Sequence, residues 1–138
     1  MPQPRAFLSF DFDHDLDQKV MFAGQATRNS PTSFTVEDWS SKSPLPQAQW
    51  ERLIESKISN THMLIVLVGR WASSATGVAK EIEMARRLNV PTFGVYVDGA
   101  GSTTPLPTGL GRGRVVAWSW PTVGAAIQQM MGEGKNAR

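Results

Sequence analysis

The stretch Gly77 to Ala85 (GVAKEIEMA) holds two glutamates, Glu81 and Glu83. A carboxylate is a fixed negative charge, and beside a reacting carbon it stabilises a developing cation. Whether either acid can do this depends on where it points. If the stretch is helical, at about 100° per residue, Val78, Ile82, Ala85 and Leu88 share one stripe that faces the protein. Lys80, Glu83 and Arg87 fall on the opposite side. Glu81 lies roughly 45° from the centre of the apolar stripe by the same geometry. Glu81 therefore points inward and Glu83 outward. The bland reading of Glu81 is an acid favoured by a helix N-terminus, an effect of about 0.3–1 kcal/mol. The chemical reading is a charge aimed into a cleft.

The elements that must position it can be read from the same pattern. Met63 to Val68 (MLIVLV) is a continuous apolar run, the mark of a strand covered on both faces. Gly69 ends it, and a polar loop leads to the helix with the two acids. Earlier in the chain, Ala6 to Phe10 reads as a strand and Asp11 to Asp15 as an acidic turn. Leu16 to Ala26 reads as a helix with Leu16, Val20 and Ala23 on its inner stripe and Met21 and Phe22 outside it. Ser33 to Glu37 is a short strand rich in β-formers. Asp38 to Gln47 is a loop punctuated by Pro44 and Pro46, and Ala48 to Ser59 a helix. Later come a strand from Pro91 to Val97, a long loop from Asp98 to Gly113, a strand from Val115 to Ser119 and a helix from Pro121 to Met131.

Five strands alternating with helices imply a parallel sheet with right-handed crossovers. The expected fold class is α/β: a flavodoxin-like three-layer sandwich with a five-stranded parallel sheet of order 2-1-3-4-5 and helices on both faces. One domain over residues 1–138 is expected, with its core at about 5–131 and a frayed tail at 132–138. In that strand order the first and third strands flank the topological switch point. The loops 11–15 and 69–77 then line one crevice, and Glu81 looks toward it.

Composition narrows the function classes. The 138 residues carry a formal charge of +2, with 41% hydrophobic and 19% charged residues, ordinary values for a globular chain. There is no cysteine, which removes disulfides, thiolate catalysis and thiolate metal sites. No apolar run reaches the 18 or so residues of a membrane span, and the N-terminus lacks a signal-peptide core. A cytoplasmic protein is expected. The basic residues form no stripe of the kind nucleic-acid binders carry, so neither nucleic acid nor membrane is an expected partner.

A lone carboxylate at such a crevice suits cleavage of an N-glycosidic bond to a cationic leaving group. Nicotinamide leaves NAD+ without needing a proton, so the enzyme has only to stabilise an oxocarbenium-like ribose.

Several stretches also carry a family resemblance. Phe7 to Asp15 (FLSFDFDHD), Asp38 to Ser40 (DWS), Ile65 to Gly69 (IVLVG), and GVAKEIEMA followed by Val90 to Val97 (VPTFGVYV) resemble the TIR-like domains of bacterial Thoeris anti-phage systems. More widely they resemble Toll/interleukin-1 receptor domains that consume NAD+. The resemblance covers roughly residues 5–131 and places Glu81 at the family's catalytic glutamate. It makes Phe10, Asp11 and His14 of the first loop, and Asp38, Trp39 and Ser40 of the loop after the second strand, the border of the nucleotide pocket. Trp71 and Ser74, in the loop after the third strand, face the same crevice. What it implies is NAD+ cleavage, with NAD+ as substrate and no other cofactor. A nucleotide product that switches on a downstream effector, and self-association, follow from the same resemblance. One departure is clear: catalytic relatives commonly carry Trp four residues before the glutamate, and here that residue is Gly77. Some TIR domains act only as interaction modules, which is the alternative reading.

Other residues have competing readings. Asp11 and Asp13 also resemble the DxD start of haloacid-dehalogenase-type phosphatases, where the first Asp is the nucleophile and the pair helps hold Mg²⁺. The later acidic pair of that family is not evident, since only Asp98 ends a strand. Asp11 to Asp15 can equally be a solvated turn whose aspartates cap the following helix. His14 and His62 form no set with metal-ligand spacing, so no metal is expected, and His62 reads as structural. Trp39 can stack on a base or anchor its loop. Trp118 and Trp120 are expected to pack on the last helix. Gly109 to Gly113 (GLGRG) is not a dinucleotide fingerprint, because it does not join the first strand to its helix.

Overall fold

The computed structural model of the chain describes residues 4–11, 16–26, 35–37 and 46–136. Its strands are β1 (Arg5–Ser9), β2 (Thr35–Glu37), β3 (Met63–Val68), β4 (Thr92–Tyr96) and β5 (Val115–Val116). Its helices are α1 (Leu16–Ala26), α2 (Gln47–Ser59), α3 (Thr76–Arg87) and α4 (Trp120–Met131). The strands pair in parallel in the order β2-β1-β3-β4-β5. Register runs from Ala6 opposite Met63, through Leu64 opposite Thr92, to Gly94 opposite Val115. The α/β class with a parallel sheet, expected from the alternation of apolar runs and helical stripes, is what the chain adopts.

β3 explains the layering. All six of its residues are buried, and successive side chains leave on opposite faces. Met63, Ile65 and Leu67 join Phe22 of α1 and Val123, Ile127 and Met130 of α4 on one face. Leu64, Val66 and Val68 join Trp50, Ile54 and Ile58 of α2 and Val78, Ile82 and Ala85 of α3 on the other. A strand with no water on either face has no reason to alternate polar and apolar residues.

Several expectations are corrected. In α1 the inner stripe is not the one containing Val20. Phe22 is fully buried, while Val20 and Met21 are 58% and 53% exposed. The reason lies far along the chain. Trp118 and Trp120 stack on Phe22 at centroid distances of 5.6 and 5.0 Å, and Trp120 Nε1 donates to Gln25 Oε1 at 2.8 Å. An aromatic between two indoles gains more than a valine on the same helix would. The two tryptophans thus tie α1 to the α4 side of the core as well as packing near α4 itself.

β5 stops at Val116 rather than Ser119, because Trp120 and Pro121 already open α4. The tail expected to fray is pinned as far as it is described. Lys135 N donates to Asn89 O at 2.8 Å, and Asn136 Nδ2 donates to Ser59 O and Thr61 O at 3.1 and 2.7 Å. His62 is structural, as expected: its Nδ1 accepts from the Arg5 amide at 3.0 Å.

Phe22→Ala is expected to cost about 3–5 kcal/mol, against less than about 0.5 kcal/mol for Val20→Ala on the exposed side of the same helix; urea unfolding of the two variants checks the pair. Gly94 sits in β4 where an added Cβ would lie 3.0 Å from Val68 Cγ2, 3.1 Å from Leu110 Cδ2 and 3.2 Å from Val115 Cγ2. Gly94→Ala is therefore expected to lower the urea midpoint, by about 1–3 kcal/mol of stability, without changing the m-value.

Candidate active site

The chain leaves β1 and β3 at the same carboxyl edge of the sheet, and the two strands are neighbours. Along β1, Ala6 and Leu8 face the side of α1 and α4, and Phe7 faces the side of α2 and α3. Ser9, two residues beyond Phe7, turns to the α2 and α3 side as well. It is the last residue of β1 and fully buried.

α3 enters this side from the carboxyl edge. Its first turn contains no acid, and Glu81 comes in the second turn, buried with Val78, Ile82, Met84 and Ala85. Glu81 is only 4% exposed. Ser9 Oγ donates to Glu81 Oε1 at 2.6 Å, joining residues 72 apart in sequence. That length lies in the short half of the range for an O–H···O hydrogen bond.

Two physical effects bear on Glu81 in this geometry. Helix-dipole stabilisation falls off within the first turn, and Glu81 lies beyond it. Burying a carboxylate costs several kcal/mol. A hydrogen bond to a charged group contributes about 1.5–3 kcal/mol. An apolar side chain of similar size would fill the position without the desolvation cost. A carboxyl group is kept there instead, and any charge it carries is poorly screened.

Of the other residues singled out in the sequence, Asp11 is brought to the same edge. It lies two residues beyond Ser9 and is 8% exposed. Phe10 is not brought to Glu81. It packs against the cluster of Ala6, Leu8 and Phe22, on the opposite face of the sheet from α3. Trp71 and Ser74 follow β3 at the carboxyl edge, in and beside a 3₁₀ turn at Ala72–Ser74. Ser74 N donates to Trp71 O at 3.0 Å, and both residues are exposed. His14, Asp38, Trp39, Ser40 and the second aspartate of the DxD pair, Asp13, lie outside the described residues. Asp98, the one acid that ends a strand in the sequence reading, sits within 3.8 Å of Arg70. No group of three His, Cys, Asp or Glu among the described residues could hold a metal ion.

One residue of this region is not marked by the sequence as part of a site, and another is marked only as an apolar helix position. Ser9 is the single polar residue in Ala6 to Phe10. Its parity with Phe7 was the available signal, but nothing in the sequence says which face α3 covers. Trp50, in α2, is 5% exposed, and its Nε1 is buried with no hydrogen-bond partner among the described residues. It shares a cluster with Val78 and Ile82 of α3. The next residue, Glu51, pairs with Lys80 at 3.6 Å, which sets this part of α2 beside the turn of α3 that carries Glu81.

Comparison with known proteins agrees with this architecture. Residues 7–102 match the family described as Thoeris protein ThsB, TIR-like domain. The fold is similar to the crystal structure of a prokaryotic SEFIR domain, with a TM-score of 0.52 and 12% identity over 93% of this chain and 90% of that one. It is also similar to the TIR domains of the activated Roq1 resistosome that recognises the pathogen effector XopQ, with a TM-score of 0.48 and 17% identity. That match covers 73% of this chain, which spans only 61% of the other. No curated protein matches the sequence.

Ser9→Ala is expected to destabilise the protein by about 1–3 kcal/mol, because it removes a donor from a buried charged acceptor. Ser9→Thr, which keeps the hydroxyl, is expected to recover part of the loss. Thermal unfolding of both variants checks this.

Proposed function

The chain belongs to the Thoeris ThsB TIR-like domain family, and from that premise we propose that it is an NAD+-cleaving enzyme with Glu81 as its essential carboxylate. The observation that carries the reading is the buried Glu81, bonded to Ser9 at the carboxyl edge of the sheet. In the order β2-β1-β3-β4-β5 this edge lies where β1 and β3 flank the topological switch point, the place where open α/β sheets bind ligands.

The chemistry asks little beyond such a charge. The bond between ribose C1′ and the pyridinium nitrogen breaks, its electron pair passes to that nitrogen, and neutral nicotinamide departs without a proton. The ribose left behind is oxocarbenium-like, and a carboxylate beside it stabilises that charge more than it stabilises the ground state. Water adding at C1′ and losing a proton gives ADP-ribose. A nucleophilic group of the same molecule gives a cyclic isomer, the kind of nucleotide signal that a downstream effector reads. Glu81 is the catalytic residue in this reading. Asp11, His14, Asp38, Trp39 and Ser40 line the nucleotide pocket, with Trp71 and Ser74 at its rim. Phe10, packed on the other sheet face, is left out of the pocket. Self-association completes the site, so protein concentration is part of the activity.

One observation favours a second reading, a TIR-like module that binds partners without catalysis: Gly77 stands where catalytic relatives carry Trp. That reading keeps self-association and leaves NAD+ untouched.

NAD+ consumption at high protein concentration, with chromatography of the products, separates the two. Loss of NAD+ with the wild type, and a fall of at least about 100-fold in Glu81→Gln, is the expected result; the size is that of removing one preorganised electrostatic contact. Equal turnover by Glu81→Gln overturns the assignment of Glu81. Self-association with no NAD+ loss supports the binding module.

A further inference from the structure

A concave place lies away from Glu81. A cavity of about 280 Å³ opens between the end of α3, the start of β4, the Gly109–Gly111 loop and the tail. It lies at the amino edge of the sheet, since Thr92 begins β4 and Arg86 and Asn89 close α3. Its floor is apolar. Ile82, Val90 and Leu110 are 4%, 4% and 7% exposed.

The walls are held in place by features that a random surface dent lacks. Gly109 has φ +92° and comes so close to Ile82 that a Cβ would sit 3.0 Å from its Cγ2. Gly134 has φ +79°, and a Cβ there would meet Asn89 O and Pro91 Cδ at 2.6 Å. Both positions use a backbone region that only glycine enters freely. The tail wall is then tied down by the Lys135 and Asn136 hydrogen bonds described above.

The rim carries a net positive charge. Arg114 is committed: it donates to Glu133 Oε1 at 3.0 Å and to Thr92 O at 3.2 Å. The Arg114 and Gln129 hydrogen bonds hold the Glu133 carboxyl below the usual carboxylate range, so that pair stays ionised and neutral overall. Arg86 is different. It is exposed and has no ion-pair partner among the described residues. A guanidinium over an apolar floor fits a small molecule with one anionic head and an apolar body.

We propose that this cavity is a second ligand site, which takes a small amphiphilic anion, its carboxylate or phosphate on Arg86 and its apolar part on Ile82, Val90 and Leu110. The size is at the small end of ligand pockets. Leu110, Arg114, Glu133 and the glycine walls all lie beyond residue 102, where the family match ends. Ile82, Arg86 and Val90 lie within the match, so both parts of the chain build the site, which does not depend on the reading of Glu81.

The test uses the full chain with 2-naphthoate and phenyl phosphate as anionic probes and 2-naphthamide as the neutral control, read by isothermal titration and by amide chemical shifts. Saturable binding of an anionic probe is expected, with shifts at residues 82–92 and 109–111 and at least tenfold weaker binding of the neutral control. Arg86→Ala is expected to weaken the anion at least tenfold and Arg86→Lys to recover part of it. Leu110→Trp, which fills the floor, is expected to block both. The ratio of carboxylate to phosphate affinity identifies the head group. Absence of saturable binding by the wild type, or undiminished binding by Arg86→Ala, overturns the proposal.

Discussion

The hydrogen bond from Ser9 to Glu81 is the contact around which the site is arranged. It spans 72 residues and joins the last residue of the first strand to the second turn of the third helix. For it to form, β1 must end at the edge where α3 begins, and β3 must lie beside β1 so that its following loop returns α3 to that place. The parallel pairing of Ala6 to Ser9 with Met63 to Val66 supplies this. The apolar runs that look like ordinary core building are therefore also what brings a carboxylate and a hydroxyl together in a place shielded from water. Shielding makes the charge costly to hold and strong in its effect.

Much of this was legible in the sequence. Six uninterrupted apolar residues at Met63 to Val68 announced a strand covered on both faces. The stripe of Val78, Ile82 and Ala85 fixed the inward face of α3, and with it the direction of Glu81. These signals are local, and each rests on a period that a short window reveals. What was not legible depends on contacts between distant residues. The burial of Phe22 instead of Val20 in α1 follows from Trp118 and Trp120, almost a hundred residues later. The pinning of the tail follows from carbonyls at Ser59, Thr61 and Asn89 that only the folded chain presents. Ser9 was hidden for the same reason: a single serine in an apolar strand means little until the helix across from it is known.

The two edges of the sheet differ in how they are built. The carboxyl edge, with Glu81, Ser9, Asp11 and the loop after β3, falls within the residues that match the Thoeris family. The amino edge is shaped by the turn from α3 to β4 and by segments beyond the match, where left-handed glycines at 109 and 134 bring backbone close to Ile82 and Pro91. α3 runs between the two, carrying Glu81 in its second turn and Arg86 in its last. One amphipathic helix thus carries Glu81 at one edge of the sheet and borders the cavity at the other.

On the proposed function, Glu81 is buried for its charge and not for the fold. The unfolding midpoint of Glu81→Gln against wild type tests this most directly, because Gln keeps the shape and an oxygen to accept from Ser9 while removing the charge. A midpoint equal to or above that of the wild type is expected, since the cost of burying an ion disappears. A fall comparable to that of a core truncation such as Phe22→Ala would show instead that Glu81 is a structural member of the core.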